Sequence, residues 1–320
     1  MNFIVKDQNI GQRLDIFLTK NLNQLSRSQI KKMVEGGLVL VDQKPAKPHQ
    51  FLKAGQKIII IPAEEKIKQI QRATPNFYYR PKVIFENNDF LVLEKPAGML
   101  VHPTEKNEPD TLVDWLLKKY PQVKNVGEEQ NRDGIIHRLD KEVSGIMIVA
   151  KTNKAYYYLK EQFKKRLVKK EYITLVYGKI HDQTGEIDLP IGRNKEGIFV
   201  AHPSQGKEKL HYQDKVAKTQ YQVLKYLKDY TLLRIRILTG RTHQIRVHLS
   251  AIGHPILGDQ IYKPKKKFFH FLRKKIKVVD PGRIFLHSVK IGFYDLNKQW
   301  VEFSSPLPKS LEDFLDETKK

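Results

Sequence analysis

Residues 134–151 read GIIHRLDKEVSGIMIVAK. An apolar pair, Ile135 and Ile136, leads into His137, Arg138, Asp140 and Lys141, and Gly145 opens a second apolar run over 146–150. Runs this short and this rich in β-branched residues predict strands. The polar patch is then a loop held at the ends of two strands, where a rigid scaffold presents reactive groups. Asp140 is a carboxylate set between Arg138 and Lys141. Two readings stand for it. It is a solvated loop carboxylate paired with its basic neighbours, or a nucleophile or base kept ionised by them. Local chemistry leaves both open.

The order of the residues is more specific. HRLDKEVSG, residues 137–145, resembles the HRLD-x-x-[TS]-SG signature of RluA-type RNA pseudouridine synthases. The resemblance implies that Asp140 is the catalytic residue, with His137 and Arg138 as candidate RNA contacts. Val143 departs from the signature, which has Thr or Ser there, so a loop hydroxyl is missing while the acidic residue stays.

The rest of the chain is consistent with a nucleic-acid partner. A length of 320 residues suggests two domains, and 40% hydrophobic content suffices for a sizeable core. A net charge of +23 points to a polyanion, nucleic acid before an acidic membrane. Cysteine is absent, which excludes disulfides and thiolate metal sites and suits a reducing cytoplasm. The first 15 residues lack the apolar core of a signal peptide, and no apolar run approaches a bilayer span. A cytoplasmic monomer without a membrane segment is expected.

Residues 1–65 read as a small module. Leu14, Phe17, Leu18 and Leu22 recur at helical spacing, and Ser26 with Gln29 forms a capping-box pattern before Ile30, Met33 and Val34. Short strands follow near 38–41 and 58–61. Arg27 and Lys31 share a helix face, and with Lys32 they are candidate RNA-backbone contacts, although a solvated surface is the default for such charges. The pattern RLDIFL…SRSQIKKMVEGGLVLVDQK…LKAGQKI resembles the S4 RNA-binding domain. Residues 66–82 read as a linker.

Residues 83–310 carry the remaining motifs. Strands are predicted over 83–85 and 90–93 around an Asn87-Asn88-Asp89 turn, and a helix over 111–120. LEKPAGMLVHP resembles the family's K-P-x-G-x-x-V-H-P segment. There Lys95 and His102 read as loop caps rather than RNA contacts. An amphipathic helix is predicted over 154–170, with Tyr156, Leu159, Phe163 and Leu167 inward and Lys160, Lys164, Lys165 and Arg166 outward. KKEYITLVYG, residues 169–178, resembles K-x-Y-x-A-x-V-x-G, which implies an active-site role for Tyr172. Residues 192–218 read as a long loop or hairpin, and the Lys-rich stretch 261–277 as an added RNA contact or a disordered segment.

LTGRTHQIRVHLSAIGHPILGD, residues 238–259, follows a strand predicted over 231–238. Ile245, Leu249 and Ile252 place a helix over 242–252, capped by Gly253, with Thr242 and Arg246 at its anion-favouring start. His243, His248 and His254 do not share a helix face, and no acidic cluster completes a metal site, so no metal is expected. The segment resembles the family's G-R-T-H-Q-I-R-V-H motif. This implies that Arg246 pairs with Asp140, and Arg241 and Thr242 join the candidate RNA contacts. Two closing strands and a short helix over 310–318 are predicted next, and 311–320 reads as a tail.

The resemblance covers about 11–308. It implies an α+β fold, with a central, mostly antiparallel mixed sheet crossed by an RNA cleft and preceded by a small α/β S4 domain. The implied reaction is cofactor-free isomerisation of uridine to pseudouridine, in large-subunit ribosomal RNA before tRNA. The rival class is a non-catalytic RNA-binding or ribosome-assembly protein, which the charge fits equally well.

Overall fold

The computed structural model describes residues 2–22, 30, 33–34, 38–47, 49–60, 80–104, 108–128, 131–202, 214–264 and 280–318. Arg27, Lys31 and Lys32 lie outside these residues, as do most of the expected linker and of the basic stretch 261–277. The chain divides into two compact units, 1–78 and 79–320.

In the first unit β1 (Asn2–Ile4), α1 (Leu14–Asn21), β2 (Val39–Val41), β3 (Lys44–Pro45) and β4 (Lys57–Ile60) follow in order. The strands form an antiparallel sheet in the order β1-β4-β2-β3. Leu14, Phe17 and Leu18 of α1 bury against Ile30, Val34, Val39 and Ile58, so the helical spacing in the sequence is the core stripe. Strand β1 has no sequence signal, being three residues with both ends exposed.

The second unit runs β5 (Lys82–Glu86), β6 (Phe90–Lys95), α2 (Leu112–Lys119), β7 (Ser144–Ala150), α3 (Asn153–Lys164), β8 (Lys169–Tyr177), β9 (Thr184–Asp188), β10 (Ile191–Arg193), β11 (Phe199–Ala201), β12 (Lys218–Tyr226), β13 (Tyr230–Ile237), α4 (Gln244–Ala251), β14 (Leu286–Tyr294), β15 (Trp300–Ser304) and α5 (Lys309–Glu317). Its main sheet has nine strands in the order β5-β6-β7-β14-β8-β13-β12-β9, with β15 on β14. Among the described residues only β7 and β14 pair in parallel, so the fold is α+β with a mixed, mostly antiparallel sheet. A separate hairpin, β10-β11, occupies part of the stretch read as a long loop or hairpin.

Strand β7 is central and buried along all seven residues. Met147 and Val149 face a core that includes Leu112 and Leu116 of α2. Ile146 and Ile148 face the opposite core with Leu159 and Phe163 of α3. A strand covered on both faces reads as a continuous apolar run. Gly145 has φ +127°, and a Cβ there would sit 2.3 Å from the Ser288 carbonyl oxygen, so the close approach of β7 to β14 needs glycine.

Three expectations are corrected. Ile135 makes an isolated bridge to Val149 rather than entering a strand. Helix α3 stops at Lys164 instead of continuing to 170. Arg166 turns left-handed at φ 59°, β8 starts at Lys169, and Leu167 is exposed rather than inward. Helix α4 starts at Gln244, because His243 takes a left-handed conformation, and Thr242 lies before the helix.

Candidate active site

The loop after Ile136, the starts of β8 and α4, and the end of β13 surround a cleft of about 520 Å³. Asp140, Tyr172 and Arg246 all line it, with His137, Arg138, Arg241 and Thr242. The turn that carries Asp140 is closed by backbone, because Val143 N–H donates to the Asp140 carbonyl at 3.1 Å. The hydroxyl missing at 143 is not needed for that bond, and Val143 instead buries its side chain.

Arg246 projects from the first turn of α4 and is 2% exposed. Its Nε and Nη2 donate to Asp259 Oδ2 at 2.7 Å and Oδ1 at 2.9 Å, a two-pronged pair. That leaves Nη1 directed at Asp140 Oδ2, 3.2 Å away. Asp259 is fixed in turn by the N–H groups of Ile261 at 2.8 Å and Tyr262 at 3.0 Å. Burial opposes charge on both partners. For Arg246 the carboxylates outweigh burial and hold the guanidinium above its usual range. For Asp259 the Arg246 contacts and the two N–H groups outweigh burial and hold the carboxyl below its usual range. A buried cation thus has one side chain to anchor it and one to act upon. Gly258, at φ +77°, lets the chain turn into Asp259 where a Cβ would meet the Arg283 carbonyl oxygen at 2.1 Å.

Tyr172 pairs with Ile235 of β13 and Ser288 of β14, and it is buried. Burial pushes its hydroxyl up, Asp140 adds to this, and a hydrogen bond with Ser288 opposes it, so the phenol is neutral. Lys170, the first residue of the motif, also lines the cleft with its ammonium 5.3 Å from the Phe163 ring. Burial pushes that ammonium down to about 8.

The remaining sequence candidates divide. Ile148 N–H donates to His137 Nε2 at 3.0 Å, and the His137 ring stacks on Phe163. This tethers the Asp140 loop to β7, and burial keeps the imidazole neutral, down to about 3. Arg138 is exposed, and its Nη1 donates to His102 Nε2 at 3.3 Å. Arg241 Nε donates to the Val216 carbonyl at 3.0 Å. Thr242 is exposed at the rim. Lys95 is fully buried and donates to the carbonyls of Pro96, Met99 and Lys141, at 2.9, 2.8 and 3.2 Å. It therefore caps its own loop and ties it to the residue after Asp140. His248 bonds Thr219 and the Leu189 carbonyl, and His254 bonds the Tyr177 carbonyl, so both imidazoles serve the scaffold.

Sequence reasoning missed Asp259, Gln244 and Tyr262. Gln244 accepts from Thr239 and from Arg241 N–H, and donates to Lys218 and Thr219, which clamps the loop before α4. Its position inside GRTHQIRVH was the available signal. Asp259 ends the same stretch, 13 residues from its partner, with no local pattern to link them.

A family model described as RNA pseudouridylate synthase matches residues 89–251, and one described as S4 domain matches residues 12–58. The chain belongs to the RNA pseudouridylate synthase family and is an enzyme of that class. Among its relatives, an RNA pseudouridine synthase of Aquifex aeolicus is 38% identical over 96% of this chain and 94% of its own length. Ribosomal large subunit pseudouridine synthase D of Nitrosomonas europaea is 39% identical over 81% of this chain and 71% of its own. The solved structure of human RNA Pseudouridylate Synthase Domain Containing 1 is 28% identical, with a TM-score of 0.56, over 74% of this chain and 88% of that one.

Proposed function

We propose that this enzyme isomerises uridine to pseudouridine in large-subunit ribosomal RNA, with Asp140 as its catalytic carboxylate. The observation that carries the reading is Arg246 Nη1 at 3.2 Å from Asp140, on a guanidinium already anchored by Asp259. A buried cation held in this way orients the carboxylate through a charge-assisted hydrogen bond. The Asp140 side chain is 18% exposed and faces the cleft, so it is reachable.

The reaction breaks N1–C1′, forms C5–C1′ and moves one proton from C5 to N1, so no redox step or cofactor enters. A stacked base is out of reach, and the target must be flipped into the cleft. Asp140 attacks C1′ or takes the C2′ proton. Tyr172, neutral and in the same cleft, stacks on the base. Arg138, exposed beside Asp140, reaches the RNA at the rim, and Arg241 and Thr242 meet its backbone. The unit 1–65 adds phosphate contacts, with 83–310 as the catalytic domain. Ribosomal RNA is favoured over tRNA by relatives named for the large subunit. The test is pseudouridine mapping in ribosomal and transfer RNA from cells with and without the gene. Loss of a large-subunit site, restored by the wild-type gene, is expected. An unchanged map would refute the assignment.

A further inference from the structure

His243 is placed in the GRTHQIRVH motif without a role, and its setting is unusual on three counts. Its backbone is left-handed, φ 55° and ψ 18°, at the residue before α4, and its side chain makes no cap to the helix. Among non-glycine residues that region is sparsely used and clusters at functional sites. Its ring is gripped edge-to-face by Phe199 at 5.9 Å and Tyr262 at 5.7 Å. Its Nδ1 meets the Tyr262 hydroxyl at 3.0 Å, which directs Nε2 at Asp140 Oδ2, 3.9 Å away.

Arg246 Nη1 and His243 Nε2 thus converge on one oxygen of Asp140, and Oδ1 accepts no hydrogen bond from the described residues. A bare Nε2 lone pair facing a carboxylate would be repulsive, so Tyr262 O–H donates to Nδ1 and Nε2 carries the hydrogen. Hydrogen bonds of this kind are often long before substrate binds and tighten in the complex. The charged groups around the ring are Asp140, Glu142, Asp259 and Arg246. Burial lowers the imidazole, Asp140 opposes that, and Arg246 adds to it, so the ring stays neutral.

Resting on the reading of Asp140 above, we propose that His243 is a positioning residue. Its Nε2–H closes on Asp140 Oδ2 when RNA binds and leaves Oδ1 as the oxygen that meets the ribose. Nothing is transferred through the imidazole, so it needs no proton exchange during turnover.

Gln and Asn variants separate this role from a backbone role. In H243Q the amide nitrogen falls near the place of Nε2, while in H243N it falls near Nδ1 and is out of reach of Asp140. Asn enters the left-handed region more readily than Gln, so backbone strain favours H243N. The proposal predicts that H243N loses kcat on the order of tenfold to a hundredfold with little change in KM. It predicts that H243Q retains most of its rate although it melts no higher than H243N. H243N as active as H243Q, or both variants at the wild-type rate, would overturn it. A second readout needs neither turnover nor RNA. Ring nitrogen NMR on the wild-type protein should show His243 as the Nε2–H tautomer, and an Nδ1–H tautomer would overturn the proposal. A correct tautomer in a protein that forms no pseudouridine would instead count against the role given to Asp140.

Discussion

Replacing Asp259 with Asn removes one charge and one acceptor from a site where both partners are buried. The side-chain exposures are 2% for Arg246 and 0% for Asp259. Asn keeps the shape and keeps Oδ1, which serves Ile261 and Tyr262, but its amide N–H groups then face Arg246 Nε, the 2.7 Å bond. Removing one member of a buried pair costs about 3–5 kcal/mol, and the retained backbone bonds put this case near the lower end. Arg246 also loses the anchor that aims Nη1 at Asp140. A displacement of about 1 Å at such a group costs on the order of a hundredfold in rate. Both tryptophans, Trp115 and Trp300, lie in the 79–320 unit, so fluorescence-detected urea unfolding reads the unit that holds the pair. Tritium release from RNA labelled at uridine C5 reads the rate. The Asp259 carboxyl is held below its ordinary 3.8. Its stabilising contribution is therefore complete above that value and is lost as pH falls through the lower folded value. The Asn variant should lack this acid limb. Glu142→Gln is the control: Glu142 is 3.7 Å from Arg246 but 50% exposed, and screening holds its effect within about 0.5 kcal/mol. A D259N protein less than about 1 kcal/mol weaker than wild type, or with unchanged kcat, would refute the anchoring role.

Further outcomes follow from the same architecture. Lys95→Met takes the donor from the buried Met99 carbonyl and from that of Pro96, while the Lys141 carbonyl keeps the Gly98 N–H, and should cost about 2 kcal/mol in urea unfolding and loosen the Asp140 loop. Burial, with Arg283 next, pushes the Lys95 ammonium down to about 7, against Asp140 and Glu142. The unfolded chain keeps that proton to about 10.4. Between these values the unfolded state binds more protons, so wild-type stability should rise with pH relative to the Met variant, and parallel curves would contradict this. Deleting residues 1–78 should leave turnover of a short RNA at raised KM. If that unit grips about three or four phosphates, the slope of log affinity against log salt should be shallower by about 2 to 3 without it, and equal slopes would mean the unit does not hold RNA.

The parts of the fold legible in the sequence are those where a single element carries its own pattern. Strand β7 is a continuous apolar run because both faces are covered, and α1 shows its core stripe directly. The Asn87 turn was legible too, since its Oδ1 takes the N–H groups of Asp89 and Phe90, as this residue type does in turns. What stayed hidden depends on backbone conformation or on distant partners. The apolar spacing that predicts a helix to 170 continues through Leu167, and nothing local announces that Arg166 turns left-handed. The same holds at His243, where the helix start shifts by two residues and the imidazole swings toward Asp140. The pairing of Arg246 with Asp140 was available only through resemblance, as the residues lie 106 apart. Asp259 needed the fold, because its role is set by a partner on another element.

The most direct test of the account is tritium release by Asp140→Asn at saturating RNA, beside wild type and with RNA affinity measured on both. Asn fills the same space and can still accept from Arg246, so the cleft should bind RNA as before. It cannot serve as a nucleophile or a base. No release above background is expected, with affinity near that of wild type. Release at even about a tenth of the wild-type rate would contradict it, because a carboxylate used as nucleophile or base cannot be replaced by an amide at so small a cost.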